Sequence, residues 1–183
     1  EESENTFQKA LKLAIAGNII DFGIKSEISK KMVLRHIHEV ENKNLEIDDS
    51  TKLYDNLKES KTLLYLGDNC GEIVFDKIFI EEIKKEFPHL SIKFAVRGKA
   101  VINDATLEDA YYIGLNELGP IISNGDGAPG TVIADCSEDF KKEFYSSDII
   151  ISKGQGNYES LNEIDRENVY FLFMANCNMV AKG

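Results

Sequence analysis

Two adjacent side chains with hard oxygens stand out first. Asp68 and Asn69 lie in Gly67-Asp68-Asn69-Cys70-Gly71-Glu72, one charged and one neutral, with glycine on both sides. Such oxygens suit Mg²⁺ or Mn²⁺, and the glycines permit close backbone approach to a ligand. Helix capping is the competing use of the same residue types. A second carboxylate, Asp104, follows 36 residues later in Asn103-Asp104-Ala105-Thr106. That is about one βα unit, a spacing that can bring two carboxylates to neighbouring strand ends; here too capping by Asn103 or Asp104 is the alternative. Lys153-Gly154-Gln155-Gly156-Asn157 adds a cation and glycine amides of the kind that favour phosphate. The plainer reading of that segment is a flexible strand-to-helix turn. It is neither a Walker A motif nor a dinucleotide fingerprint. Arg97-Gly98-Lys99 supplies further positive charge, and Asn18 with Asp21 interrupts an apolar helical stretch. Asn18 either caps that helix or lends its amide to a cleft.

The elements that must position these residues follow from periodicity. Residues 5–18 carry Phe7, Ala10, Leu11, Ala14 and Ile15 at three- and four-residue spacing, which predicts a helix ending at Gly17 or at the Gly17-Asn18 pair. A second helix is expected over residues 26–40, and a third, with Leu53, Tyr54 and Leu57, after Asp48-Asp49-Ser50. From residue 62 the pattern changes. Strands are expected at residues 62–67, 91–97, 121–123, 148–152 and 169–174, and helices at 72–87, 106–115 and 137–146. Alternating strands and helices imply right-handed crossovers and an α/β fold. The expected architecture is a mostly parallel, Rossmann-like sheet flanked by helices, with an N-terminal helical part. Residues 1–60 would form that part, packed on an α/β core at residues 61–183. In such sheets ligands sit beyond the carboxyl ends of the strands, where the polar segments fall.

Composition excludes several classes. The 183 residues hold 21 Lys+Arg against 32 Asp+Glu, a formal charge of −11. That balance speaks against nucleic acid and against an anionic membrane as partners. No apolar run approaches the ~20 residues of a transmembrane helix, and no secretory signal opens the chain. The chain begins with Glu1 rather than Met, as a piece of a longer protein would. Cys70, Cys136 and Cys177 are sparse and odd in number, which fits a reducing cytoplasm. Neither they nor His36, His38 and His89 fall at metal-site spacing.

Taken together, Ala16–Asp21 (AGNIID), Gly67–Glu72 (GDNCGE), Arg97–Thr106 (RGKAVINDAT) and Lys153–Glu159 (KGQGNYE) resemble the motifs of the metal-dependent damage-control phosphatase family, once catalogued as a domain of unknown function. They occur in the family's order, from about residue 11 to about residue 180. The last motif is similar to that of the free-standing prokaryotic branch. The resemblance implies a divalent metal, Mg²⁺ or Mn²⁺ with Co²⁺ or Ni²⁺ as further options, held by Asp68, Asn69 and Asp104. It implies Lys153 near the phosphate and Asn18 in the same cleft. It also implies hydrolysis of small phosphate monoesters, such as sugar phosphates or damaged phosphometabolites. Family members usually have more chain before this start and often a little more after the end.

A mechanism consistent with these residues has Asp68 and Asp104 as catalytic carboxylates, with Glu72 or Asp104 as proton acceptor. Lys153 and the amides of Gly154 and Gly156 would bind phosphate oxygens, and Arg97 would touch substrate or brace the loop. The attacking group is a water or a carboxylate such as Asp68. Two rival readings are an S-adenosylmethionine-dependent methyltransferase, from the glycine turn at residues 63–71, and a non-catalytic metal- or nucleotide-binding module. Oligomeric state leaves no trace in the sequence.

Overall fold

A computed structural model describes residues 2–21, 35, 38, 39 and 45–174. Five strands form one all-parallel sheet in the order β3-β2-β1-β4-β5. They are β1 (Thr62–Leu66), β2 (Ser91–Val96), β3 (Ile121–Ser123), β4 (Ile149–Lys153) and β5 (Val169–Leu172). Central β1 pairs Leu63 with Ile92 on one side and with Ile149 on the other. The chain winds outward from β1 in both directions, so a switch in strand order falls between β1 and β4. A crevice opens at that point beyond the carboxyl ends.

The strands lie between two layers of helices, which is why they read as unbroken apolar runs. Leu63, Tyr65, Ile149 and Ile151 point to one face, with α1 (Glu2–Asp21), α2 (Ser50–Glu59) and α3 (Ile73–Glu86). Leu64, Leu66 and Ile150 point to the other, where Phe140 and Phe144 of α5 (Glu138–Ser146) and Leu161 of α6 (Gln155–Leu161) pack. On the first face Phe7 of α1 sits edge-on to Tyr54 at 5.1 Å and to Phe79 at 5.2 Å. These aromatic contacts place the described N-terminal helices against the sheet-covering layer, within one continuous core.

Several boundaries differ from expectation. α1 runs through Gly17 to Asp21. Gly17 instead lies against Phe75, whose Cδ2 would be 3.1 Å from an added Cβ, so this glycine serves helix packing rather than termination. The helix expected at 106–115 stops early, as α4 (Leu107–Tyr112). Gly114 then turns left-handed at φ 75° and a 3₁₀ turn covers Leu115–Glu117. Most of the helix expected at 26–40 lies outside the described residues; of it, Arg35 Nε donates to Glu39 Oε1 at 2.8 Å.

Candidate functional site

Every strand end that reaches the crevice delivers a polar side chain. β1 hands over to Asp68, Asn69 and Glu72, and β2 to Arg97. The loop after β2 returns Asp104, whose backbone bridges Asn69, while Cys70 N donates to Asn103 O at 2.8 Å and Ala105 N to Asp68 O at 2.7 Å. These main-chain bonds bring the two loops together and so bring Asp104 beside Asp68. Asp68, Asn69 and Asp104 are not spent on capping either helix. The N-cap of α3 is Glu72, whose side chain makes no capping bond. The start of α4 is capped by Thr106 and Asp109, whose Oδ2 accepts from Thr106 N at 2.9 Å and Thr106 Oγ1 at 2.7 Å. Asp68, Asn69 and Asp104 are thereby released for other work.

Arg97 ties the two carboxylates together. Its Nε donates to Asp104 Oδ2 at 2.5 Å, and its Nη2 lies 3.6 Å from Asp68 Oδ1. Asn69 is oriented by its neighbours. Its Nδ2 donates to Asp68 Oδ2 at 3.1 Å and to Glu72 Oε1 at 2.6 Å. With both amide hydrogens turned to carboxylates, Oδ1 is the atom left to meet a cation.

Lys153 is fully buried and all three of its donors are used. Nζ donates to Ala14 O at 2.9 Å, Glu72 Oε2 at 3.3 Å and Asp76 Oδ1 at 2.6 Å. Its ammonium therefore faces α1 and α3. Tyr65 Oη also donates to Asp76 Oδ1, at 2.7 Å, while Asp76 Oδ2 is buried with no partner among the described residues. Glu72, expected as a proton acceptor, is fully buried and divided between Asn69 and Lys153.

Charge is out of balance here. Among the described residues the ion pairs of Asp68, Glu72, Asp76 and Asp104 run to two cations, Arg97 and Lys153, which leaves two negative charges in excess if all four acids are ionised. Burial first, then the charges of Glu72 and Asp104, push the Asp68 carboxyl up to about 7. Burial likewise raises Asp76 to about 6, against the pull of Lys153. Burial alone would lower Lys153, but the charges of Asp76 and Glu72 outweigh it and hold its pKa above the ordinary value.

Gly154 shapes the crevice from β4. Its backbone sits at φ 82° and ψ 158°, a region that essentially only glycine adopts. A Cβ there would fall 1.9 Å from Asp68 Oδ2. Its N–H donates to Leu172 O at 3.2 Å, so Gly154 makes room for Asp68 while its amide serves β5. Gly156, expected beside it as a phosphate ligand, lies in the first turn of α6. Asn18 lies one helical turn beyond Ala14, whose carbonyl Lys153 holds; its side chain is outside the described set.

Three residues escaped the sequence reading. Asp76 follows Glu72 by one turn and sits on the buried stripe of α3 with Ile73, Ile80 and Ile83. An acid on an apolar stripe was the available signal. Asn157 lay inside a quoted motif but was given no role. Thr131 follows a glycine-rich loop and carried no signal at all.

A family model described as the Damage-control phosphatase ARMT1-like domain matches residues 1–183. The chain belongs to this family. Among ARMT1-like relatives, an uncharacterised protein of Methanocaldococcus jannaschii is 43% identical over 100% of this chain and 60% of its own length. A damage-control phosphatase of Pyrococcus horikoshii is 39% identical over 96% of this chain and 60% of its own. A damage-control phosphatase of Archaeoglobus fulgidus is 31% identical over 100% and 62%. The crystal structure of a DUF89 family protein from Pyrococcus horikoshii superposes with a TM-score of 0.90 at 39% identity, covering 96% of this chain and 61% of that one. The ARMT1-like fold read here, a parallel sheet flanked by helices, is thus shared with a solved relative. The chain spans about 60% of the length of the curated relatives it matches.

Proposed function

We propose that this chain carries the machinery of a divalent-metal-dependent phosphatase acting on small phosphate monoesters, sugar phosphates or damaged phosphometabolites among them. The reading rests on one observation above all. Among the described residues, a cluster at the sheet's switch point carries two more carboxylates than cations, a deficit that a single divalent ion would fill. Family membership supports the same reaction class and favours it over methyl transfer.

Among the described residues no three His, Cys, Asp or Glu side chains form a metal cluster. The donor set we assign is instead two carboxylates and one amide: Asp68, Asn69 and Asp104. Its all-oxygen chemistry fits Mg²⁺ or Mn²⁺, with Co²⁺ and Ni²⁺ further down the preference. When bound, such an ion supplies Lewis-acid neutralisation of a phosphoryl oxygen.

The chain's own residues do the rest. Glu72 orients the Asn69 amide, and Arg97 keeps Asp68 and Asp104 apart yet adjacent. Asp104 is the better-placed proton acceptor, because Glu72 is committed to Lys153 and Asn69. The Gly156 amide is our candidate phosphate donor. Lys153 acts from behind, holding Glu72 and the Ala14 carbonyl of α1 in place, and Asn18 of the same helix is our candidate for a further contact with substrate. The attacking group is water or the Asp68 carboxylate. The stereochemical course at phosphorus, followed with a chirally oxygen-labelled phosphate ester, separates them: direct attack by water inverts the phosphorus, whereas two displacements through an aspartyl phosphate at Asp68 retain its configuration.

A cytoplasmic setting belongs to the same proposal, since three cysteines, sparse and odd in number, fit a reducing compartment. No helix among the described residues is long and apolar enough to cross a membrane. The test is a panel of phosphometabolites against Mg²⁺, Mn²⁺, Co²⁺ and Ni²⁺, with and without chelator. Metal-dependent phosphate release supports the reading; ligand binding with no turnover under any metal overturns it in favour of a binding module.

A further inference from the structure

Arg97 is 3% exposed, and its guanidinium is held from the far side by two residues to which nothing so far assigns a role. Nη1 donates to Thr131 Oγ1 at 2.9 Å and Nη2 to Asn157 Oδ1 at 3.0 Å. Thr131 Oγ1 in turn donates to Asn157 Oδ1 at 2.7 Å, which fixes the hydroxyl with its lone pairs toward Arg97. Both side chains are almost wholly buried.

The pair is anchored to the fold itself. Asn157 Nδ2 donates to Lys153 O at 2.7 Å and to Gly67 O at 3.3 Å. Those carbonyls lie at the ends of β4 and β1, on either side of the switch point. Thr131 N donates to Ser160 Oγ at 2.8 Å, which pins the glycine-rich loop to α6. A rigid chain of bonds therefore runs from the sheet through Asn157 and Thr131 to Arg97, and from Arg97 to Asp104 and Asp68. A guanidinium has five donors in a fixed plane. Bonding its outer edge leaves the inner edge a single orientation toward the two carboxylates.

We propose that Thr131 and Asn157 are positioning residues: they set the plane of Arg97 between Asp68 and Asp104, and so set the geometry in which those carboxylates meet a divalent cation. The consequence for cation binding rests on the function proposed above; the positioning of Arg97 does not. Outer partners of metal ligands typically change metal affinity 10- to 100-fold when removed. Thr131→Val keeps the shape and removes the hydroxyl, whereas Thr131→Ser keeps the hydroxyl.

Two readouts on the full chain test this. The first is the ¹⁵Nε–Hε NMR signal of Arg97, one of three arginines in the chain, with Arg35 and Arg166. A buried Nε–H bonded to Asp104 gives a sharp, slowly exchanging signal. It should shift or broaden in Thr131→Val and in Asn157→Ala, and return in Thr131→Ser. The second is calorimetric Mn²⁺ affinity, expected to weaken about 10-fold or more in Thr131→Val and to recover in Thr131→Ser. An unchanged Arg97 signal in Thr131→Val overturns the positioning role. A displaced signal with unchanged Mn²⁺ affinity overturns its consequence for the cation. A wild-type chain that binds no divalent ion overturns the metal reading, and the NMR arm alone then decides the positioning of Arg97. Should Asn157→Ala fail to fold, the two Thr131 variants carry the comparison.

Discussion

Gly154 and Asp68 cannot both keep their places if the glycine gains a side chain. A Cβ at residue 154 would lie 1.9 Å from Asp68 Oδ2, and the backbone there has φ 82°. Gly154→Ala therefore costs about 1–3 kcal/mol of backbone strain and displaces a carboxylate of the proposed metal site. The expected outcome is a melting point lower by several degrees, at about 2–4 °C per kcal/mol for a chain of this size, together with weakened Mn²⁺ binding. Differential scanning calorimetry and titration calorimetry check the two halves; an alanine variant with wild-type Mn²⁺ affinity contradicts the account of the crevice.

Lys153 stands where a phosphate ligand was expected and is spent on Ala14, Glu72 and Asp76. Removing one partner of a buried charge cluster leaves the others uncompensated, at a cost of about 3–5 kcal/mol. Lys153→Met should lose stability on that scale in urea unfolding. Adding Asp76→Asn removes one of the stranded carboxylates and should recover part of the loss. A Lys153→Met protein as stable as wild type, with phosphate affinity alone reduced, would instead make Lys153 a direct ligand.

The difference between these two sites shows what the residue string reveals. Strands appear as apolar runs because both faces of β1 and β4 are buried, and the polar segments after them are legible because parallel sheets put ligands there. Side-chain direction is another matter. Whether Lys153 faces a ligand or α3 depends on Asp76, a residue disguised as one more position on a helical stripe. Gly17 reads as a helix stop because local propensity says so, yet packing against Phe75 carries the helix onward. Thr131 comes into play only because a loop closes over 34 residues onto Arg97. No local pattern encodes such a contact.

The metal-free protein should lose stability as pH rises. Asp68 and Asp76 have carboxyl pKa values of about 7 and about 6 in the fold, against about 3.9 for an unfolded aspartate. Between about pH 4 and 7 the native state holds more protons than the unfolded state, so the stability these groups contribute drains away as pH climbs through that window. Asp48, held low by its bonds to Ser50, and Asp148, held low by the Lys61 amide, act in the opposite sense only below about pH 4. With chelator present, the melting point should fall from pH 5 to pH 8. Mn²⁺ should raise it more at pH 8 than at pH 5, because protons no longer compete for the carboxylates. Equal Mn²⁺ effects at both values contradict the assignment of Asp68 as a ligand.

Asn69 and Glu72 make a further pair open to test. Glu72 Oε1 takes one amide hydrogen of Asn69 at 2.6 Å, which turns Oδ1 outward. Glu72→Gln can present an N–H in place of that oxygen and so flip the Asn69 amide. Mn²⁺ affinity should fall about 10-fold or more, the range typical for outer partners of metal ligands, with the helical circular dichroism unchanged. Full affinity in Glu72→Gln would show that Asn69 is oriented by Asp68 alone.

The central claim is that a divalent ion held by Asp68, Asn69 and Asp104 is needed for phosphate ester hydrolysis. Release of p-nitrophenol from p-nitrophenyl phosphate by the purified chain measures it most directly. It is followed with chelator, with Mn²⁺ restored, and in Asp104→Asn, which keeps an acceptor for Arg97 while removing the charge. The account predicts turnover that chelator abolishes, that Mn²⁺ restores, and that Asp104→Asn loses while keeping its fold. Turnover that survives both chelator and Asp104→Asn would contradict it.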